Sequence, residues 1–534
     1  MIPVDKGGGI AKAQGSYKNR DTPCSFLCLP KPMMAMSFLP SFHLFLVFVV
    51  SSIIYITYRC KFFTSRHPGC TFAPGPRGWP IIGNLLDLPT QRPWIVFRDW
   101  ARTYGDIMYV RAYRKPIIIL SSAEVVTDLM EKRSLIYAGR PVSVMDNLTG
   151  KYFHQYFNGG VVPDYHIKQA KQIHKFLRRC LDTSGKQLDP SHVRLTLAST
   201  IMDIVYGLQI ESMEDDYIRV VVESIELGSD SKVVGKYWID YMPFLRYVPG
   251  WIPGTASVRL GARCRPVVEE MVNRAYDAVK KGTVTRSSMA LDLITRLSEE
   301  PDPERRKAEE RHAKHVTAVA YAAGSDTTYS TIQTFFCNLA TYPDIQKKAQ
   351  EELDLVVGPD RLPTFDDYDS LPFVQAIFLE CIRWLPVAPL GIPHSTTEDD
   401  YYNGYFIPAD TTVLVNVWHI LRNPVDYPEP EKFNPDRFMK DGALNRDVRD
   451  PLTFAFGFGR RACPGKDFAR DTAFLLFASI LHAFKIMPSL DEYGNELDPT
   501  PHMSASTLCY PELLHYMLKP RSKAMEKLVR DTAL

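Results

Sequence analysis

The chain has 534 residues, 45% of them hydrophobic, with 63 Lys and Arg against 61 Asp and Glu and a formal net charge of +2. That length supports one large domain or a few ordinary ones, and the composition is that of a globular protein. The near-balanced charge gives no whole-chain reason to bind nucleic acid, and ten cysteines without a CxxC pair argue against a thioredoxin-like or zinc-ribbon fold.

Residues 1–37 include the glycine-rich DKGGGIAKAQGSYKNRD and read as a disordered leader, or as a start placed upstream of Met33, Met34 or Met36. Residues 38–58, FLPSFHLFLVFVVSSIIYITY, carry no Asp, Glu, Lys or Arg and match one bilayer span in length. This predicts a transmembrane anchor, with a buried core helix as the plain alternative. Residues 59–73 form a basic linker with Arg59, Lys61 and Arg66. If the natural start is one of those three methionines, the positive-inside rule places the large domain in the cytosol. One domain is expected over residues 74–519, opening on the stiff PGPRGWPIIGN, with 520–534 as a tail.

The stretch from Trp94 predicts a helix, a turn and a hairpin with strands Tyr109–Arg111 and Pro116–Leu120. From about Asp182 to Lys280 the pattern is mostly that of amphipathic helices. Tyr237–Gly254, YWIDYMPFLRYVPGWIPG, breaks it and reads either as a buried loop or as a substrate-access loop dipping into lipid. SEEPDPERRKAEERHAKH is a solvated, charged lead into a long helix. That helix contains AAGSDTTYS, Ala322–Ser330. The plain reading is that Gly324 permits close packing and Thr327 bonds back to its own helix, but Gly-Ser-Asp-Thr-Thr is unfavourable mid-helix and needs compensation. Further on, ECIR puts Glu380 and Arg383 on one helical face, and FNPDRF supplies Arg437.

Near the C-terminus stands FAFGFGRRACPGKDFA, Phe454–Ala469. Arg460 and Arg461 could favour a Cys463 thiolate, Gly457, Gly459 and Gly465 let backbone approach a flat ligand, and the helical pattern after Pro464 aims a helix N-terminus at the sulfur. An axial ligand to a porphyrin metal, a reactive thiol and a phosphate loop all remain open on these grounds.

FAFGFGRRACPG resembles the haem-binding signature of the cytochrome P450 family, the haem-thiolate monooxygenases. The pattern F-x-x-G-x-R-x-C-x-G falls on Phe456, Gly459, Arg461, Cys463 and Gly465 without mismatch. Three further segments agree in order: Ala323–Thr327 with an oxygen-groove pattern, Glu380 and Arg383, and Arg437. The resemblance implies a mainly α fold with small β-sheets, a single large haem domain and haem b as cofactor. It assigns Cys463 to the iron, Arg461 and His394 to the propionates, and Phe456, Gly457, Gly465 and Ala323 to the haem surround. It assigns Asp326 and Thr327 to proton delivery, and Glu380, Arg383 and Arg437 to support behind the cysteine loop. The family's W-x-x-x-R on an early helix has no match here, where His166 and Ala170 fall at the corresponding places with Lys168 and Lys171 nearby.

By family position the substrate pocket takes Met145, Leu148, Val319, Ala320, Val387, Ile392 and Met503, an apolar set suited to a lipophilic small molecule. The implied reaction is hydroxylation with dioxygen, and Asp326 beside Thr327 favours it over oxygen-rearranging or peroxide-using relatives and over a non-catalytic haem-binding membrane protein. NADPH and flavins are expected only in a separate membrane-bound reductase, docking on a basic face around Arg460, Arg461, Lys466 and Arg470. The DDYYNGYFIPADTTV segment is similar to microsomal fungal members of secondary metabolism, acting on terpenoid or polyketide scaffolds. The implied location is the endoplasmic reticulum membrane, single-pass, with the catalytic domain in the cytosol.

Overall fold

Why a hairpin forms after the first helix is plain from its residues: apolar runs, Ile107–Val110 and Pro116–Leu120, flank the tight turn at Tyr113 and Arg114. The computed structural model describes residues 71–141, 155–231, 242–252 and 255–532, with the single residues 47, 50, 51, 237 and 239. Apart from Val47, Val50 and Ser51, the expected anchor lies outside them, as do Met145 and Leu148. Among the described residues no helix is long and apolar enough to cross a membrane. Gly69–Leu534 forms one compact unit.

The longer helices are, in chain order, α1 (Pro93–Tyr104), α2 (His166–Asp182), α3 (Pro190–Tyr206), α4 (Asp216–Ser231), α5 (Ala256–Lys280), α6 (Met289–Ser298), α7 (Pro303–Thr341), α8 (Pro343–Val356), α9 (Pro372–Trp384), α10 (Lys466–Ala483) and α11 (Lys523–Arg530). The strands are β1 (Ile107–Ala112), β2 (Lys115–Leu120), β3 (His394–Ser395), β4 (Asp400–Tyr402), β5 (Tyr405–Ile407), β6 (Thr412–Val415), β7 (Met439–Lys440), β8 (Ala443–Leu444), β9 (Phe484–Pro488), β10 (His502–Met503), β11 (Pro511–Glu512) and β12 (Tyr516–Pro520). The protein is thus mainly helical with small sheets. One sheet has four strands in the order β1-β2-β6-β3, and the other four sheets are two-stranded. The hairpin pairs Ile107 with Leu120 and Ala112 with Lys115, a little longer than the alternation predicts. β2 runs parallel to β6, and β3 closes the edge with His394 opposite Val413.

The largest core cluster joins α2, α7, α9 and α10, and a second joins α3, α5, α6 and the first half of α7. α3 departs from the amphipathic expectation: nearly every residue from Val193 to Tyr206 is buried, because it lies between α2 and α7. α7 starts where Pro303 follows Asp302, whose carboxylate accepts the Glu304 N–H at 3.0 Å. It runs unbroken through Gly-Ser-Asp-Thr-Thr. The compensation is visible. Ser325 and Thr327 hydroxyls donate to the carbonyls of Tyr321 and Ala323 at 2.9 and 2.8 Å. A Cβ at position 324 would stand 2.8 Å from Cγ1 of Ile201, so glycine is what lets α3 approach.

Within the tail, α11 buries Met525 and Val529, and Arg178 donates to Thr532. In the segment Tyr237–Gly254, Tyr247 and Trp251 stand 74% and 80% exposed, which removes the buried-loop reading for its described part. Cys180, Cys337, Cys381 and Cys509 are buried free thiols, as their scattered spacing suggests.

Candidate haem-thiolate site

The cysteine loop is a tight backbone construction. The Cys463 N–H donates to the Phe456 carbonyl at 2.6 Å, and the Arg461 N–H to the Phe458 carbonyl at 2.9 Å. Gly457 and Gly459 carry φ of 79° and 48°, which side chains other than glycine disfavour. Gly459 is also wedged: a Cβ there would lie 2.5 Å from the carbonyl oxygen of Met130. Its N–H is held by Glu131 Oε1 at 2.8 Å. Gly459→Ala is therefore expected to destabilise the protein by at least the left-handed penalty of about 1–2 kcal/mol. Thermal midpoints of the two proteins, measured side by side, check it.

Cys463 keeps accessible surface as a residue, and burial raises its thiol pKa. Only the Gly465 backbone N–H pulls the pKa down. The Arg461 Nε donates to the Ala138 carbonyl at 3.0 Å. The helix that begins at Lys466 does place its N-terminus beside the cysteine, as expected.

The part of α7 from Val316 to Ala340 is mostly packed but opens at a stripe. Val319 is 44% exposed and Ala323 is exposed, and Thr327 follows at the same four-residue spacing, half-buried. Ala320, one residue off the stripe, is packed into the second core cluster instead. Ile392 is 48% exposed. A small apolar cavity nearby along the chain is lined by Pro389, Leu390, Gly391, Ala505, Ser506 and Thr507, against Pro93 and Trp94. Val387 is tied to this region by accepting the Cys509 N–H at 2.7 Å, and Met503 by accepting from Arg92 at 3.0 Å.

Three basic side chains gather at the edge of the four-stranded sheet. His394 Nδ1 donates to the Tyr137 carbonyl at 2.8 Å, and Arg140 donates to the carbonyls of Ile392 and Pro393 at 2.7 and 2.8 Å. Burial first, then the charges of Arg140 and Arg461, push the His394 pKa down to about 4. An anion placed here would relieve that repulsion, which is what a propionate-bearing ligand supplies. Arg140 was not visible in the sequence pattern, because 252 residues separate it from its carbonyl partner Ile392. Because the folded value lies below the ordinary 6.5, the neutral His394 stabilises the haem-free protein above that pH. That contribution is lost as pH falls from 6.5 towards 4 and amounts to about 3 kcal/mol. Denaturation midpoints from pH 7 to 4 should fall less steeply in His394→Asn.

The His166 region is not part of this gathering. His166 Nε2 pairs with Asp471 at 2.9 Å, and its ring stacks on Phe365 with centroids 3.6 Å apart. Lys168 is held by Asp203, through its carbonyl at 2.9 Å and its carboxylate at 3.2 Å.

Behind the cysteine loop, Glu380, Arg383 and Arg437 come together as a closed network. Arg383 grips Glu380 with two bonds of 2.7 and 2.8 Å, both side chains wholly buried. Arg437 Nε approaches the same carboxylate at 3.2 Å, and the Asn434 N–H donates to it at 2.7 Å. The remaining guanidinium hydrogens go to main-chain carbonyls of Leu421, Pro430 and Lys432 from Arg383, and of Pro428, Glu429 and Lys432 from Arg437. Asp326 is 4% exposed and faces away from the stripe, where Arg194 Nη1 donates to it at 3.0 Å and the Tyr510 hydroxyl donates to its other oxygen.

The family model for cytochrome P450 matches residues 73–189 and 164–508, two stretches that overlap on α2. The cytochrome P450 monooxygenase COX2 of Coprinopsis cinerea is 38% identical over 491 residues, covering 88% of this chain and 93% of that protein. The monooxygenase ple1 of Rhodocybe pseudopiperita is 35% identical, covering 86% and 92%, and one from Armillaria gallica is 35% identical, covering 91% and 98%. The cysteine loop at the head of α10 and the closed Glu-Arg-Arg network agree with these matches: the chain belongs to the cytochrome P450 family and is a monooxygenase.

Proposed function

We propose that this chain hydroxylates a lipophilic small molecule, a terpenoid or polyketide of fungal secondary metabolism, at a haem b held by Cys463. The observation that carries the reading is the Cys463 loop at the head of α10, folded back on the Phe456 carbonyl with accessible surface left at the cysteine. Arg461, His394 and Arg140 would take the propionates, and Phe456, Gly457, Gly465 and Ala323 would lie against the ring. A thiolate-ligated haem supplies the oxygen activation when bound. The protein supplies the rest. Thr327, whose hydroxyl hydrogen is spent on Ala323, keeps acceptor capacity, and Asp326 is the acid nearest to it along the helix. Apolar Val319, Val387, Ile392 and Met503, with Met145 and Leu148, would hold the substrate and exclude water.

Electrons would come from a separate membrane-bound NADPH reductase. The span at 38–58 would anchor the protein in the endoplasmic reticulum membrane with the domain in the cytosol, and exposed Tyr247 and Trp251 would dip into lipid. The test is reconstitution with such a reductase, NADPH and isotopically labelled dioxygen over a panel of terpenoid and polyketide substrates. Incorporation of one labelled oxygen into a product supports the reading. A loaded, reducible protein that incorporates none from any of them would overturn it.

A further inference from the structure

The buried ring of His394 is oriented by a main-chain group. Its Nδ1 lies 2.8 Å from the Tyr137 carbonyl oxygen. A carbonyl can only accept, so Nδ1 carries the ring hydrogen and Nε2 is the nitrogen left for a ligand. The chain around Tyr137 is laced to the same strand. The Ser395 N–H donates to the Gly139 carbonyl at 2.8 Å, and the Thr397 N–H to that of Ile136 at 2.9 Å. Where the His394 ring sits therefore depends on where the chain runs from Arg133 to Arg140.

That run has little structure of its own: Ser134–Tyr137 is a single helical turn, too short to hold itself. What holds it comes from the hairpin of β4 and β5, whose tip at Asn403 and Gly404 is exposed. Asp400, the first residue of β4, accepts two bonds of 2.8 Å from Arg133 Nη1 and one of 3.0 Å from the Tyr137 hydroxyl. The carboxylate is mostly buried and Tyr137 wholly so. Arg133 also donates to the Tyr401 carbonyl at 2.9 Å and lies 5.3 Å from the centre of the Tyr402 ring. Burial, and then the Asp400 charge, push the Tyr137 hydroxyl pKa far up, so it stays a donor. One residue thus gives its carbonyl to His394 and its hydroxyl to Asp400.

We propose that Asp400 and Arg133 are positioning residues for His394, acting through Tyr137: they hold its carbonyl against Nδ1, so that Nε2 is set for the carboxylate of a bound haem. This rests on the monooxygenase reading above and extends it to two side chains outside the site. Without the hairpin carboxylate the single turn shifts, the imidazole turns with it, and haem is held for a shorter time.

The full-length, haem-loaded protein and the variants Asp400→Asn, Asp400→Ala, Arg133→Lys, Arg133→Met, Tyr137→Phe, His394→Asn and Tyr137→Phe/His394→Asn test this. The readout is the rate at which haem passes to an excess of haem-free myoglobin, followed by absorbance, with circular dichroism alongside to confirm folding. Release should quicken about tenfold in Asp400→Ala, the scale for removing a residue that orients a ligand-binding one. It should quicken less in Asp400→Asn, which keeps one acceptor. Arg133→Lys should recover most of what Arg133→Met loses. The double variant should release haem no faster than His394→Asn alone, whereas a merely structural hydroxyl would add its own loss. Additive effects, or wild-type release from Tyr137→Phe and Asp400→Ala, would overturn the proposal and leave the monooxygenase reading standing. A wild-type protein that binds haem without the red-shifted carbon-monoxide band would sink that reading instead. Haem release would still decide the proposal there, because the propionate side does not depend on the iron's ligand. A wild-type protein that takes up no haem would overturn both.

Discussion

In Cys463→Ala, the strongly red-shifted carbon-monoxide band of the reduced protein is expected to disappear, and with it all product formation. The Cys463 thiolate is the soft ligand that the loop offers to a metal. Arg461 Nε donates to the Ala138 carbonyl. The substitution removes little from the fold, since the loop is held by the Phe456 carbonyl, the Glu131 carboxylate and the two left-handed glycines rather than by the thiol. Absorbance after dithionite and carbon monoxide, with circular dichroism alongside, separates loss of the ligand from loss of structure. An unchanged band would mean that the iron is held by another residue.

The second large effect is on stability. Glu380→Ala leaves the guanidinium of Arg383 wholly buried without its carboxylate, and that of Arg437 nearly so. Removing one member of a buried ion network costs about 3–5 kcal/mol, because the charge left behind is uncompensated. That is a large share of the roughly 5–15 kcal/mol that holds a folded domain together. The expected result is little soluble protein and a denaturant midpoint well below wild type. Glu380→Gln, which keeps the shape and some hydrogen bonding, should fall between the two. Equal midpoints for wild type and Glu380→Ala would show that the network is dispensable.

What could be read from the residues in order was what depends on neighbours in sequence. The cysteine loop, the Glu380–Arg383 spacing and the β1–β2 hairpin are local, and the structure has them where their patterns place them. Gly324 and Thr327 behave as their plain reading says, through Ile201 and the Ala323 carbonyl. Side-chain direction was not legible. Two arginines beside a cysteine suggest a supported thiolate, yet Arg461 turns to a carbonyl 323 residues away. The partners of Asp326 were hidden for the same reason, since Arg194 and Tyr510 lie 132 and 184 residues from it. His166 fits the place of a haem-facing residue by order alone, and the Asp471 carboxylate and the Phe365 ring capture it instead.

The docking of the last residues bears on how the protein is made. β12 pairs with β9 and also receives the Gly185 and Leu188 N–H groups that follow α2, while Thr532 accepts from Arg178 within it. These are joints between the middle of the chain and its end. A ribosome withholds them until β12 and α11 have emerged, so the connection between α2 and α3 closes late, after the helices between have been made. Helices α3 to α7 have local partners and can assemble during translation; the clamp on α2 cannot. Truncation at Lys519, or a bulky fusion placed directly after α11, should therefore impair maturation rather than catalysis.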